Sequence, residues 1–428
     1  MNTIINPARS EWQSLCVRPS DSNPVVRERV EKIIARVKAG GDKALKELAA
    51  EIDGSVPDSL EISQEEIKYA SDSIDGSLKD AIAAAAANIK AFHEAQMPKE
   101  IEVMTAPGVR CIQRPVAIGK VGLYIPGGTA PLFSTVLMLA IPAKIAGCGE
   151  IVLCTPAGKD GKVAPAVLYA ASYCGVDRIF QVGGSQAIAA MAFGTESIPK
   201  VDKIFGPGNQ YVTTAKQMLG GREVAIDMPA GPSEVMVIVD STSNPAYAAA
   251  DLLSQAEHGR DSQVILVCTD ASQAETVNAE VDRQVEVLGR VELAKGALSK
   301  SHSVVLGSED DVIDFANQYA PEHLIISTAE PWRIADRITA AGSVFVGEYT
   351  PESAGDYASG TNHTLPTSGW AHSHSGVNID SYMRKMTIQE ITRDGLGSLA
   401  PTIIRMADAE GLQAHANAAR IRTSDINE

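Results

Sequence analysis

The chain is 428 residues long, 45% hydrophobic and 21% charged, with 37 Lys and Arg against 53 Asp and Glu for a net charge of −16. At about 150 residues per domain, this length carries two or three domains, and the balance of apolar and charged residues excludes a disordered or fibrous chain. So acidic a surface repels phosphate backbones and anionic lipid, which argues against nucleic acid or a membrane as the main partner.

The N-terminal stretch MNTIINPARSEWQSLC lacks a basic start followed by an apolar core, so no secretory leader is expected. The most apolar run, FSTVLMLAIPAKIAGC, carries Pro142 and Lys144 and is too short to span a bilayer. The expectation is a soluble, cytoplasmic protein. Cys16, Cys111, Cys148, Cys154, Cys174 and Cys268 form no CxxC pair and sit mostly in apolar stretches, as reduced, structural thiols do.

Residues 1–118 read as a helical segment. Val25, Val26, Val30, Ile33, Ile34 and Val37 recur at helical spacing until Gly40-Gly41. SLKDAIAAAAANIKAFHEAQ is a second strong helix, on which His93, without a ligand-spaced partner, reads as a surface histidine. From residue 119 short apolar strands alternate with helices. VGLYIPGG leads into a helix from Ala130 to about Ala146, and EIVLCTPAG, APAVLYAASYCG, DRIFQVGG, SQAIAAMAFG, DKIFGPGN and QYVTTAKQML continue the series. A second series opens with the strand SEVMVIVD, the helix PAYAAADLLSQAEHG and the strand QVILVCTD, followed by a long helix from Ser272 to about Leu288. It closes with SVVLG, EDDVIDFANQY, HLIIST, PWRIADRITAAG and SVFVG. Past Tyr349 the chain reads as loop to about Ile379 and as helix to the end.

Such alternation implies an α/β protein: two open, mostly parallel, Rossmann-like sheets facing a cleft, with helical N-terminal and C-terminal segments. The expected boundaries are 1–118 for a helical segment packing on the second α/β half, 119–232 for the first α/β domain, 233–379 for the second, and 380–428 for the C-terminal helices.

Ligands of open α/β sheets bind beyond the carboxyl ends of the strands, so the loops there carry the chemistry. YIPGGTAP (124–131), QVGGSQ (181–186) and FGPGNQY (205–211) each link a strand to a helix. Glycines permit the tight turn, and the helix start offers free N–H groups to an anion. None matches GxGxxG or a Walker motif, so tight turns and an unconventional nucleotide site both stay open. Asn244, Pro245 and Gly259 frame a helix whose last turn places Gln255 and His258 on one face. That spacing suits a metal, and equally a polar helix end. Glu257 points elsewhere. Glu322-His323 follows Pro321 at the mouth of an apolar strand, an acid and an imidazole placed for proton transfer near neutrality or a solvated loop pair. The long segment 347–376 holds Asp356, His363, His372 and His374. His372 and His374 share a face only on a strand and read as bystanders. Glu410 and His415 sit on different faces of a C-terminal helix. Together Gln255, His258, Asp356 and His415 form an N/O donor set suited to zinc.

At this point the residues resemble a known family, the zinc-dependent histidinol dehydrogenases. The matching stretches are VGLYIPGGTAPLFSTVLMLAIPAKIAGC, GPGNQYVTTAKQ, IDMPAGPSEVMVIVD, LLSQAEHGRDSQVIL, NQYAPEHL, GDYASGTNHTLPT and AEGLQAH, in the family's order from about residue 118 to 416. The resemblance implies oxidation of L-histidinol to L-histidine through histidinal, with two NAD+ consumed and one zinc ion per subunit. Carried over by position, Gln255, His258, Asp356 and His415 match the zinc ligands. Ser233, Glu322, His363 and Glu410 match substrate contacts, joined there by the four zinc ligands. Tyr124, Gln186 and Asn209, one in each glycine-rich loop, match the NAD contacts. His323 matches the general base and Glu322 the group that activates water on the aldehyde. The family also implies a homodimer in which His415 and Glu410 complete the other subunit's site.

Two alternatives stand beside this reading. A related dehydrogenase of a sulfonated or other polyol would need basic side chains for its substrate, whereas Glu410 suits a cationic amine. A zinc hydrolase using Glu322 would leave the glycine-rich loops without a task.

Overall fold

The computed structural model describes residues 1–18, 24–52, 54, 56–127, 131–158, 160–229 and 231–424. The chain divides into two compact units, Met1–Gln96 with Ile118–Ser381, and Met97–Ala117 with Tyr382–Glu428.

Two parallel sheets build the first unit. One has five strands in the order Arg178–Gln181, Glu150–Thr155, Lys120–Tyr124, Lys203–Phe205, Ala225–Ile226. The other has six, in the order Asn2–Ile5, His302–Val305, Gln263–Cys268, Glu234–Val239, His323–Ser327, Ser343–Val346. All pairings in both are parallel. Strands covered on both faces are largely apolar, and Glu234–Val239, apolar past its first residue, shows why. Val235, Val237 and Val239 enter one core with the helices Pro245–Ala256 and Ala271–Val285, while Met236 and Ile238 enter another with Glu309–Tyr319. The two-residue period of a strand thus feeds two hydrophobic layers at once.

The first 118 residues distribute differently from the expected helical segment on the second half. Asn2–Ile5 is an edge strand of the six-stranded sheet, and Trp12 packs edge-to-face on Phe315 with ring centroids 5.5 Å apart. Pro24–Ile52, two helical stretches broken at Gly41 (φ +51°) where the sequence pattern ends, instead shares a core with Gly184–Phe193 and Gln210–Leu219, beside the five-stranded sheet. Apolar periodicity identifies a helix and its buried face, not the layer that face will cover. His93, expected at the surface, is buried: its Nδ1–H donates to the Ile89 carbonyl at 2.7 Å, and Asn362 Nδ2 lies 3.4 Å from Nε2. The helix expected from Ala130 spans Phe133–Ala146; Ala130 itself lies outside the described residues. Within the expected loop after Tyr349, the short helix Glu352–Tyr357 forms.

The second unit is a three-stranded antiparallel sheet, with Val109–Ala117 between Ile101–Ala106 and Met383–Ile391, and the paired helices Arg393–Ala409 and Gln413–Thr423. Met383–Ile391 corrects the expectation of helix from residue 380. Its apolar residues, Met383, Met386, Ile388 and Ile391, are spaced closer to a helical than to an alternating pattern. Among the described residues no helix is long and apolar enough to cross a membrane.

Candidate active site

A cleft of about 770 Å³ opens in the first unit. One wall is the loop Gly206–Asn209, beyond the carboxyl end of the strand Lys203–Phe205. This is the position expected for an open α/β sheet, at the point where strand order reverses between Lys120–Tyr124 and Lys203–Phe205. The opposite wall departs from that rule. Ser233, Glu322 and His323 stand at the amino ends of their strands, and Gln255 and His258 at the carboxyl end of a helix. The two sheets therefore meet the cleft with opposite ends. A helix carboxyl terminus carries partial negative charge, which favours a cation there.

Asn244 starts that helix, its side chain accepting from Ala246 N at 3.0 Å with Pro245 at the first turn. Gln255 is buried; its Nε2 donates to the Glu234 carbonyl at 3.1 Å and lies 3.0 Å from His323 Nδ1. Gln255 Oε1 is buried with no hydrogen-bond partner. His258, one turn on, is exposed and lines the same cleft. Glu322 Oε2 accepts from Glu234 N at 2.8 Å and lies 3.7 Å from His323 Nδ1. On the far side of the ring, Asp356 Oδ1 is 3.5 Å from Nε2. His363 donates Nδ1–H to the Asp356 carbonyl at 2.8 Å, which leaves Nε2 facing the Thr135 hydroxyl at 3.2 Å. The structure thus brings Ser233, Gln255, His258, Glu322, His323, Asp356 and His363 to one cleft. Glu410 caps the end of Arg393–Ala409 and His415 opens Gln413–Thr423, both exposed in the second unit.

Sequence reasoning missed Glu352. It lies one helical turn before Asp356, is fully buried, and places Oε1, without a hydrogen-bond partner, 3.9 Å from His323 Nδ1. The Glu-x-x-x-Asp spacing was its only signal, and reading the segment as loop hid it. His323, Glu352 and Asp356 can each offer a ligand atom to one cation, the three atoms lying within 4.8 Å of one another. The titrations reflect this crowding. Burial raises the Glu352 carboxyl to about 8. Burial opposes charge on His323, yet Glu352 and Glu322 outweigh it and hold the imidazole well above its ordinary range. Burial likewise works against the Asp356 carboxylate, but the adjacent His323 keeps it below the ordinary range. His363 is pushed down by burial, toward a neutral ring.

The three glycine-rich loops converge. Tyr124, ending its strand, is buried and its hydroxyl accepts from Gly184 N at 3.1 Å. Gly206 (φ +123°) lies so close to the Tyr124 carbonyl that a Cβ would collide with it. Asn209 caps Gln210–Leu219 by accepting from Tyr211 N and Val212 N at 3.0 and 3.2 Å. Asn209 lines the cleft, whereas Tyr124 and Gln186 are buried and are not among its lining residues. A buried ion pair braces this wall. Lys216 Nζ meets Asp227 Oδ1 at 2.5 Å and donates to the Gly206 carbonyl at 2.8 Å, and Asp227 accepts from Gly206 N at 2.8 Å and Met228 N at 2.7 Å.

Comparison with known proteins places this arrangement. The family model described as histidinol dehydrogenase matches residues 16–423. The chain is 54% identical over 426 residues to a histidinol dehydrogenase of Bacteroides fragilis (strain YCH46), covering 100% of both chains. It is 51% identical over 433 residues to that of Escherichia coli (strain K12), covering 100% of this chain and 99% of the other. The crystal structure of histidinol dehydrogenase from Elizabethkingia anophelis superposes with a TM-score of 0.96 at 48% identity, covering 100% and 99% of the two chains.

Proposed function

The chain belongs to the histidinol dehydrogenase family, oxidoreductases of histidine biosynthesis, and on that premise we propose that its cleft converts L-histidinol to L-histidine through histidinal, with two NAD+ reduced. The observation that carries this reading is the Glu322-His323 pair, buried at the head of a strand between the side chains of Gln255 and Asp356.

The donor set fits a zinc ion. Gln255 Oε1 is a buried acceptor with no protein partner, and the Asp356 carboxylate and His258 line the same cleft. In a homodimer, His415 of the second copy would complete the set, with Glu410 facing the substrate amine. When bound, the dication supplies open positions that orient the substrate and a positive charge that offsets Glu322, Glu352 and Asp356, returning His323 toward neutrality. Tyr124, Gln186 and Asn209, from the converging glycine-rich loops, would hold NAD+ against the first sheet.

In this scheme His323 takes the alcohol proton as hydride departs to NAD+. Glu322 then removes a proton from water as it adds to the aldehyde, the protonated His323 returns its proton to the carbonyl oxygen to give the gem-diol, and His323, neutral again, accepts a proton of that diol as the second hydride departs to the second NAD+. Ser233 and His363 contact the substrate, His363 through a ring whose orientation Asp356 and Thr135 fix. Separate assays of the two half-reactions test this division. His323→Ala should nearly abolish both oxidations, while Glu322→Gln should chiefly impair oxidation of histidinal. Equal loss in both half-reactions for Glu322→Gln would sink it.

A further inference from the structure

Glu234 presents both backbone groups to the reacting residues. Its N–H donates to Glu322 Oε2 at 2.8 Å and its carbonyl accepts from Gln255 Nε2 at 3.1 Å. The Glu234 side chain meets Arg18, which precedes the helical segment Pro24–Ile52. Arg18 Nε and Nη2 reach Oε1 and Oε2 at 3.0 and 3.1 Å, a two-pronged contact between side chains only 9% and 1% exposed. The same guanidinium donates to the Tyr319 carbonyl at 2.6 Å and stacks 3.7 Å from the centre of the Tyr319 ring. Glu234 Oε1 also accepts from Ser368 N at 2.7 Å, and Ser368 lines the cleft.

A planar fork that grips a carboxylate through two bonds fixes its angle as well as its distance. Three rotatable bonds separate that carboxylate from the Glu234 backbone, but the side chain is buried and held at its far end, so it tethers the strand head to Arg18 and limits how far the Glu234 backbone can shift. We propose that Arg18 is a positioning residue for the reaction, holding the Glu234 backbone so that Glu322 and Gln255 are aimed at the substrate. Arg18 touches neither substrate nor cofactor. It acts from outside the cleft, through a strand head and the loop at Ser368. This rests on the reading of Glu322 and Gln255 given above.

The test compares the full-length unsubstituted protein with R18M, R18K and R9M under saturating NAD+ and zinc. Arg9 lies on the same segment, pairs at the surface with Asp311 and Asp314 and lies over the Trp12 ring, away from Glu234. Misplacing reacting groups by a fraction of an ångström predicts a fall in kcat of about 10- to 100-fold for R18M, with KM for NAD+ unchanged. R18K keeps the charge without the fork and should lose an intermediate amount; it carries the test if R18M does not fold. R9M should leave kcat unchanged. In an E322Q background, R18M should cost less than it does in the unsubstituted protein, so that the loss in the double variant falls short of the product of the two single losses, because part of its effect runs through Glu322. Full activity of R18M and R18K, an equal loss in R9M, or strictly multiplicative losses would each overturn the role of Arg18. Failure of the unsubstituted protein to oxidise histidinol would instead overturn the functional reading on which it rests.

Discussion

Replacing Lys216 by Met probes the wall on which the proposed NAD+ site is built. Lys216 and Asp227 are 5% and 0% exposed, and their contact at 2.5 Å ties the Gly206 loop from two sides. Removing one partner of a buried pair leaves a desolvated charge, which costs about 3–5 kcal/mol. Here the Asp227 carboxylate keeps two backbone donors, Gly206 N and Met228 N. Lys203 also faces it, though that ammonium already donates to the Ser381 carbonyl at 2.8 Å. The lower end of the range, about 3 kcal/mol, is therefore expected. Equilibrium urea unfolding reads this as a lower midpoint at unchanged slope, and steady-state kinetics should show a raised KM for NAD+ as the Gly206–Asn209 loop loosens. In a D227N background the same lysine substitution should cost only about 1 kcal/mol, because no buried carboxylate remains uncompensated. A cost below 1 kcal/mol for K216M alone, with KM for NAD+ untouched, would refute the reasoning.

Other expectations follow from the same geometry. Burial lifts the Asp251 carboxyl from 3.8 to about 6, so the folded state binds its proton more tightly than the unfolded chain and loses stability as pH rises through this window. The whole shift is worth about 3 kcal/mol, of which about half falls between pH 5 and 7.5. D251N should gain that much on the unsubstituted protein across the interval; a pH-independent difference would contradict the assignment. Gly206→Ala should destabilise the fold and weaken NAD+ binding together, measured by thermal melting and by titration, since no L side chain fits between that backbone and Tyr124. Removing zinc with a chelator should abolish histidinol oxidation, with recovery on re-addition, and Gln255→Ala should lower the zinc content of purified protein. Full zinc retention by that variant would exclude Gln255 as a ligand.

The architecture was legible wherever a pattern is local. Strand–helix alternation revealed two parallel sheets, because apolar strands such as EVMVIV must be covered on both faces. Glu322 and His323 were visible as neighbours in sequence, and Gln255 and His258 as residues one helical turn apart. What stayed hidden depends on distant contacts. Arg18 and Glu234 meet across 216 residues, and nothing in the local sequence of either announces a buried pair. Glu352 gained meaning only once a short helix placed it behind His323. The chain passes the broken helical segment Pro24–Ile52 to the first sheet and the strand Asn2–Ile5 to the second, a choice that periodicity does not encode. Likewise, of the residues lining the cleft, Asn209 lies beyond the carboxyl end of a strand, where the rule for open α/β sheets looks for ligands, whereas His323 opens its strand.

The most direct measurement is the stoichiometry of a single exhaustive reaction. Purified protein, loaded with zinc and given excess NAD+ and limiting L-histidinol, should form two NADH for each histidinol consumed, with histidine as the only product. One NADH per histidinol with accumulating histidinal, or no NADH at all, would contradict the four-electron oxidation assigned to Glu322 and His323.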